Sequence, residues 1–89
     1  MTPTRNGLVS WTTEQHLTRI WEELLQVGPI STSDDFFDLG GNSLLVVELA
    51  DRISEAWQVF VGICEITEHS SLDELCRYVD RLRDAAGHA

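Results

Sequence analysis

The sequence has little positive charge, and this shortage excludes one class of partner. Six of its 89 residues are basic and fifteen are acidic, which gives a formal net charge of −9 at pH 7. A charge of that sign repels the phosphate backbone of nucleic acid and favours partners with basic surfaces. We therefore expect no nucleic-acid binding.

Cysteine and long apolar runs are also scarce. Cys64 and Cys76 form neither a CxxC pair nor a cluster with histidine, so no metal site is indicated. No secretory signal precedes them, and we expect both to be reduced thiols of a cytoplasmic protein. No apolar stretch approaches the ~20 residues that a membrane helix needs, so no membrane span is predicted.

The sequence does contain enough apolar material for one small core. Hydrophobic residues make up 43% of the chain, including three tryptophans, three phenylalanines and one tyrosine. At this length a single core is near the lower limit for independent folding. The composition predicts a folded globule, unlike a disordered acidic tail, and the chain is too short for a large cleft enzyme.

The first helix has a clear start and a clear end. Thr12 and Gln15 form a capping-box pattern, and Trp11 is placed to pack against His16. Gly28-Pro29 is predicted to end the helix through a left-handed cap. Between these signals the apolar residues recur with helical spacing; they are Leu17, Ile20, Trp21, Leu24 and Leu25.

Two further helices are predicted, from Ser43 to Trp57 and after a second capping-box pattern at Ser71 and Glu74. The last apolar stripe consists of Leu72, Leu75, Cys76, Val79 and Leu82. Three amphipathic helices bury one another only as a compact bundle, so the fold class is all-α. Residues 1–10 are expected to be a flexible leader, 11–84 the domain, and 85–89 a frayed tail.

The connections carry less periodicity. Ile30 to Asn42 is predicted to be a long loop, anchored in the core by Ile30, Phe36, Phe37 and Leu39. Gln58 to Cys64 is rich in β-branched and aromatic residues, but a single strand would be marginal, so we predict a buried connection. Glu65 to His69 is predicted to form one short helical turn.

The segment FDLGGNSL places Ser43 at the junction of the long loop and the second helix. A serine at a helix start is most often a cap, but Asn42 can supply that function. The free N–H groups and dipole of a helix start stabilise negative charge, so a phosphate ester on Ser43 would lie in a favourable field. Gly40 and Gly41 are expected to leave the hydroxyl accessible to another protein's active site.

A second signal lies on the same helix. At about 100° per residue, Leu44 and Val47 project away from the core stripe, among Glu48, Asp51 and Glu55. Isolated exposed aliphatic residues are common and need no function. Because these two lie beside Ser43 and a ring of carboxylates, we interpret them as a partner-docking patch.

Catalytic and metal-binding interpretations are weaker. Leu45 occupies the second glycine position of a GxSxG elbow, which also needs a preceding strand, so Ser43 is not predicted to be a hydrolase nucleophile. The three histidines have no spacing that marks a general base; they are His16, His69 and His88. Asp34, Asp35 and Asp38 lack EF-hand spacing because Phe36-Phe37 interrupts them.

The stretch DDFFDLGGNSLLVVELADRI, from Asp34 to Ile53, resembles the signature of the carrier-protein family. It is most similar to the peptidyl (thiolation) carriers of nonribosomal peptide synthesis. The similarity extends over most of the chain, because Leu17 to Val27 resembles the first helix of that family and Ser70 to Val79 its last helix. The resemblance implies an acyl-carrier-like four-helix bundle with three main helices and one short one.

The resemblance also implies a function. A phosphopantetheinyl transferase would attach phosphopantetheine from coenzyme A to Ser43, with Gly41 and Asn42 beside it. The arm would hold an aminoacyl or peptidyl thioester that is loaded by an adenylation enzyme and delivered to condensation, tailoring or thioesterase partners. Leu44 and Val47 match positions that the family uses for docking, with Glu48 and Asp51 beside them. A non-catalytic, monomeric carrier in antibiotic-type biosynthesis is expected.

Departures from the family leave alternatives open. Gly62 stands where the family often has proline, and Ile66-Thr67 replaces its usual Leu-Phe. The charge of −9 is closer to that of a free-standing acyl carrier, so a polyketide-type carrier is the nearest alternative. The terminal methionine and the short tail suggest a discrete protein, although a domain cut from a megasynthase would look similar. A different class, an acidic helical adaptor without a prosthetic group, also fits.

Overall fold

Residues 11–87 are described by the structure, a computed structural model, and they form four helices. These are α1 (Thr13–Leu25), α2 (Ser43–Trp57), α3 (Ile63–Glu68) and α4 (Leu72–Gly87). The predicted all-α bundle of three long helices and one short helix is confirmed. The predicted leader, 1–10, and residues 88–89 lie outside the described residues. Because α4 continues to Gly87, the predicted tail boundary at residue 85 falls inside a helix.

The start of α1 follows the sequence prediction. The Thr12 hydroxyl accepts a bond from the Gln15 N–H, and the Gln15 side chain accepts one from the Thr12 N–H. The Trp11 ring meets His16 edge-on at 5.8 Å. Two orphan N–H groups are thus satisfied at the point where the apolar stripe begins.

The end of α1 comes earlier than predicted. The helix ends at Leu25, and Gln26, not Gly28, adopts the left-handed conformation (φ 56°) and donates its N–H to the Glu22 carbonyl. Val27 is exposed. The left-handed cap therefore lies two residues before the position that the sequence predicted.

The core is built from one face of every helix and from three residues of the connections. The Trp21 and Phe36 rings meet edge-to-face at 5.1 Å near its centre. The fully buried side chains are Leu17, Ile20, Trp21, Phe36, Val46, Leu49, Ile53, Ile66, Leu72, Leu75 and Val79. Val59 and Val61, in the predicted buried connection, complete this core.

Two predicted burial assignments are wrong. Phe37 is 38% exposed and Phe60 is 85% exposed. Successive side chains of an extended segment point in opposite directions. Because Val59 and Val61 point inward, Phe60 between them faces outward. In the turn before Ser43, Phe36 is fully buried, and Phe37 lies on the solvent side with its ring 5.8 Å from that of Phe36.

The short helix α3 begins at Ile63, two residues before the predicted turn. Gly62 takes the N-cap position without a side-chain bond, and His69 ends the helix by donating its N–H to the Glu65 carbonyl. His69 thus lies at the end of this helix, as the predicted turn from Glu65 to His69 implied. Its ring stacks on Tyr78 of α4 at 4.9 Å, which joins the end of α3 to α4.

Candidate functional site

Ser43 is the first residue of α2, and its side chain is exposed. The helix is capped by Asn42, whose side-chain oxygen accepts a bond from the Leu45 N–H at 3.0 Å. The cap prediction for Asn42 is confirmed, and the Ser43 hydroxyl is not needed for that purpose. An accessible hydroxyl therefore lies on a helix start that is already stabilised by its neighbour.

The local field at Ser43 suits a negatively charged substituent. The first turn of α2 contains no acidic residue. The unpaired N–H groups of a helix start stabilise an anion by about 0.3–1 kcal/mol at an exposed position. A phosphodiester on the Ser43 oxygen would thus meet N–H dipoles and would not face a carboxylate of the same turn.

The glycines before Ser43 have different structural roles. Gly40 has a positive φ of 106°, which disfavours other residues, and a Cβ there would meet nothing within 4 Å. Gly41 is half-buried, and a Cβ there would lie 2.6 Å from Cε2 and 2.7 Å from the carbonyl oxygen of Phe36. From the sequence alone, Gly41 is explained by access to the Ser43 hydroxyl. The structure gives a stronger reason for glycine at this position, which is its close packing on Phe36.

Asp35 organises the loop that precedes Ser43. One carboxylate oxygen accepts bonds from the N–H groups of Phe37 (2.9 Å) and Asp38 (3.3 Å), and the other accepts the hydroxyl of Ser70. The Ser70 bond, opposed by partial desolvation and assisted by the two N–H bonds, holds the pKa of Asp35 below its usual value. The sequence indicated no role for Asp35, although aspartate two residues before a free N–H is a known turn signal.

The predicted docking residues lie on the exposed face of α2. Leu44 is 67% exposed and Val47 is 41% exposed, whereas Val46 and Leu49 are buried. Glu48, Asp51 and Glu55 are also exposed. The wheel assignment of Leu44 and Val47 to the solvent side is thus confirmed by their exposure, and their role in docking stays a prediction.

The cysteines, the possible metal ligands and the apolar segments were also considered as functional features. Both cysteines are free thiols, and burial together with the nearby Asp80 raises the pKa of the Cys76 thiol to about 11. Between residues 11 and 87, no group of three or more histidine, cysteine or carboxylate side chains could hold a metal ion. No helix in that range combines the length and apolarity needed to cross a membrane.

A family model described as "Phosphopantetheine attachment site" matches residues 15–79. Among curated proteins, tyrocidine synthase 2 of Brevibacillus parabrevis is 38% identical over 73 residues, which cover 82% of this chain. Polyketide synthase PksN of Bacillus subtilis (strain 168) is 35% identical over 72 residues, or 81% of this chain. The aligned part is 2% of the length of the tyrocidine synthase and 1% of the length of the polyketide synthase.

A similar solved structure is the peptidyl carrier protein in a complex of the phosphopantetheine transferase Sfp with coenzyme A. The two chains are 28% identical, with a TM-score of 0.75, over 89% of this chain and 95% of that one. The fold, the motif around Ser43 and the family match agree with one another. The chain belongs to the phosphopantetheine-dependent carrier-protein family and is most similar to its peptidyl carrier domains.

Proposed function

We propose that this chain is a peptidyl carrier that receives phosphopantetheine on Ser43 and delivers aminoacyl or peptidyl intermediates in nonribosomal peptide or related biosynthesis. The observation that carries the proposal is the exposed Ser43 hydroxyl at the start of α2, with Asn42 serving as the cap in its place. The family match and the likeness to a carrier complexed with its transferase support the same assignment.

The proposed modification is a transfer between oxygen atoms. The Ser43 oxygen attacks the phosphorus atom that carries the pantetheine chain of coenzyme A, and the bond from that phosphorus to the adenosine bisphosphate breaks. The serine proton leaves, so the products are the phosphodiester and adenosine 3′,5′-bisphosphate. When bound, the group supplies a flexible thiol that holds cargo as a thioester at a high effective concentration near each partner.

The residues of this chain provide the acceptor and its surroundings. Asn42 holds the first turn of α2 in place, and the N–H groups of that turn face the new phosphodiester. In this proposal neither Asn42 nor Ser43 acts as a general base, and the transferase supplies the groups that catalyse the transfer. The chain is in this sense a substrate and a carrier, not an enzyme.

We expect Ser43→Ala to abolish the modification completely. Incubation with coenzyme A, magnesium and a broad-specificity phosphopantetheinyl transferase, followed by intact-mass measurement, should give one added arm on the wild type and none on the variant. Ser54→Ala is a matched control, because Ser54 is an exposed serine of the same helix and should not affect the modification. A wild type that takes no arm would contradict the carrier assignment and favour the adaptor alternative.

A polyketide-type acyl carrier is the second candidate, and the 35% identity to a polyketide synthase favours it. The two functions differ in the loading enzyme. Loading of the modified protein with an amino acid by an adenylation enzyme supports the peptidyl type. Loading by an acyltransferase with no loading by adenylation enzymes would assign the polyketide type.

We propose that Leu44 and Val47, together with Glu48 and Asp51, dock partner enzymes such as adenylation, condensation, tailoring and thioesterase enzymes. A small apolar patch with surrounding charge suits brief contacts, because charge raises the association rate and a modest area permits release.

The proposed carrier works as a monomer in the cytoplasm, where free thiols such as that of Cys64 stay reduced.

Val47→Asp should lower kcat/KM for loading by the partner adenylation enzyme about tenfold, since an unpaired carboxylate would be desolvated in the contact. Circular dichroism should change little, because Val47 is already partly exposed. Ser54→Asp adds the same charge to an exposed position of the same helix and is the control. Equal losses in both variants would mean that net charge, not the patch, determines docking.

A further inference from the structure

The loop before Ser43 is bonded to the segment from Ser70 to Leu72, which leads into α4 and is distant from the loop in sequence. The Ser70 carbonyl accepts a bond from the Phe36 N–H at 2.8 Å, and the Ser70 hydroxyl donates to the Asp35 carboxylate. The Leu72 N–H donates to the Asp34 carbonyl at 3.0 Å, which extends the pairing. The loop is thus held by bonds to the segment that joins α3 to α4 and to the first residue of α4, in addition to its apolar contacts with the core.

The same loop is connected to the attachment serine through close contacts. Phe36 fills the centre of the core, and its carbonyl accepts the Gly41 N–H at 2.9 Å. Gly41 is followed directly by Asn42, which caps α2, and then by Ser43. A displacement of the loop at Asp35 would therefore be transmitted to the residues that orient the Ser43 hydroxyl.

We propose that Ser70 is a positioning residue for the modification of Ser43, acting through Asp35 and the loop; this inference rests on the proposed function. Group transfer requires the acceptor oxygen to reach a near-attack position, and small displacements of that oxygen lower the rate strongly. With the hydroxyl of Ser70 removed, the loop occupies more conformations, and the fraction of molecules that present Ser43 correctly falls.

The two adjacent serines at the start of α4 provide a matched pair. The Ser70 hydroxyl contacts the loop, whereas the Ser71 hydroxyl contacts only the first turn of α4, at the Asp73 carboxylate (2.9 Å) and the Glu74 N–H (3.4 Å). Ser71→Ala removes a helix cap and lowers stability without breaking the bond to Asp35. The pair therefore separates an effect on positioning from an effect on folding alone.

The experiment measures kcat and KM of the phosphopantetheinyl transferase for each apo protein, at a temperature where circular dichroism reports every variant as folded. Ser70→Ala should lower kcat/KM about tenfold, and Ser70→Thr, which retains a hydroxyl, should restore most of it. Ser71→Ala should stay within about twofold of the wild type. Amide hydrogen exchange of residues 36–42 should be faster in Ser70→Ala and unchanged in Ser71→Ala.

Equal losses in Ser70→Ala and Ser71→Ala would overturn the inference, because the loss would then follow helix stability. A wild-type rate in Ser70→Ala would overturn it as well. Both outcomes leave the proposed function intact, since the wild type still takes the arm. Failure of the wild type to be modified would instead contradict the proposed function itself.

Discussion

Replacing Phe36 with alanine should lower the free energy of unfolding by about 3–5 kcal/mol, the range measured for large buried aromatic side chains. Phe36 is fully buried and packs edge-to-face on Trp21. The variant would lose that contact and leave a cavity between α1 and the loop. Because a domain of this size is stabilised by only about 5–15 kcal/mol, much of its stability would be lost. Urea unfolding followed by circular dichroism measures the change.

Phe37→Ala is the control for this prediction. It removes the same side chain from the adjacent position, but Phe37 is 38% exposed, with its ring 5.8 Å from that of Phe36. We expect a smaller loss of about 1–2 kcal/mol, since more than a third of this residue stays in contact with water. Equal losses in the two variants would contradict the assignment of Phe36 as the core anchor of the loop.

Replacing Gly41 with alanine should lower the free energy of unfolding by about 1–3 kcal/mol, as is usual for overpacking of a close-packed site. The new Cβ would lie 2.6 Å from Cε2 and 2.7 Å from the carbonyl oxygen of Phe36. The ring cannot move away easily because it is fixed against Trp21, so the backbone beside Ser43 must shift. The transferase should consequently modify the variant more slowly.

Gly62→Ala is a suitable comparison for Gly41→Ala. Its Cβ would approach Glu65 Oε1, at the end of a flexible side chain that can rotate away. Gly62 also has a negative φ of −79°, which alanine adopts readily. We expect a loss of about 1 kcal/mol or less, since alanine is a poorer N-cap residue than glycine. In a Phe36→Ala background the cost of Gly41→Ala should fall, because only the carbonyl contact remains; full additivity would argue against the steric explanation.

The helices were predictable because their signals are local. The boundaries of α2 and the Thr12 cap of α1 match the prediction, since apolar spacing and capping residues act within one or two turns. The exposure of Leu44 and Val47 follows from the same spacing, because opposite faces of a helix cannot both meet the core. The candidate site could therefore be located before its surroundings were known.

The errors arose where residues distant in sequence meet. The outward direction of Phe60 depends on which of its neighbours are buried. The bond between Asp35 and Ser70 joins two segments that are distant in sequence, and no local pattern in either segment predicts it. Local patterns could not specify any of these contacts.

The sequence by itself determined the helical periods, the identity of Asn42 as the cap and the choice of Ser43 as the residue to test, because each depends on residues within a few positions. The tertiary structure alone decided that Phe36 and not its neighbour Phe37 enters the core, and that Ser70, just before α4, holds the loop. The physical reason is that the loop forms local turns of its own, but its position relative to the helices is fixed only by the groups of other segments that it meets.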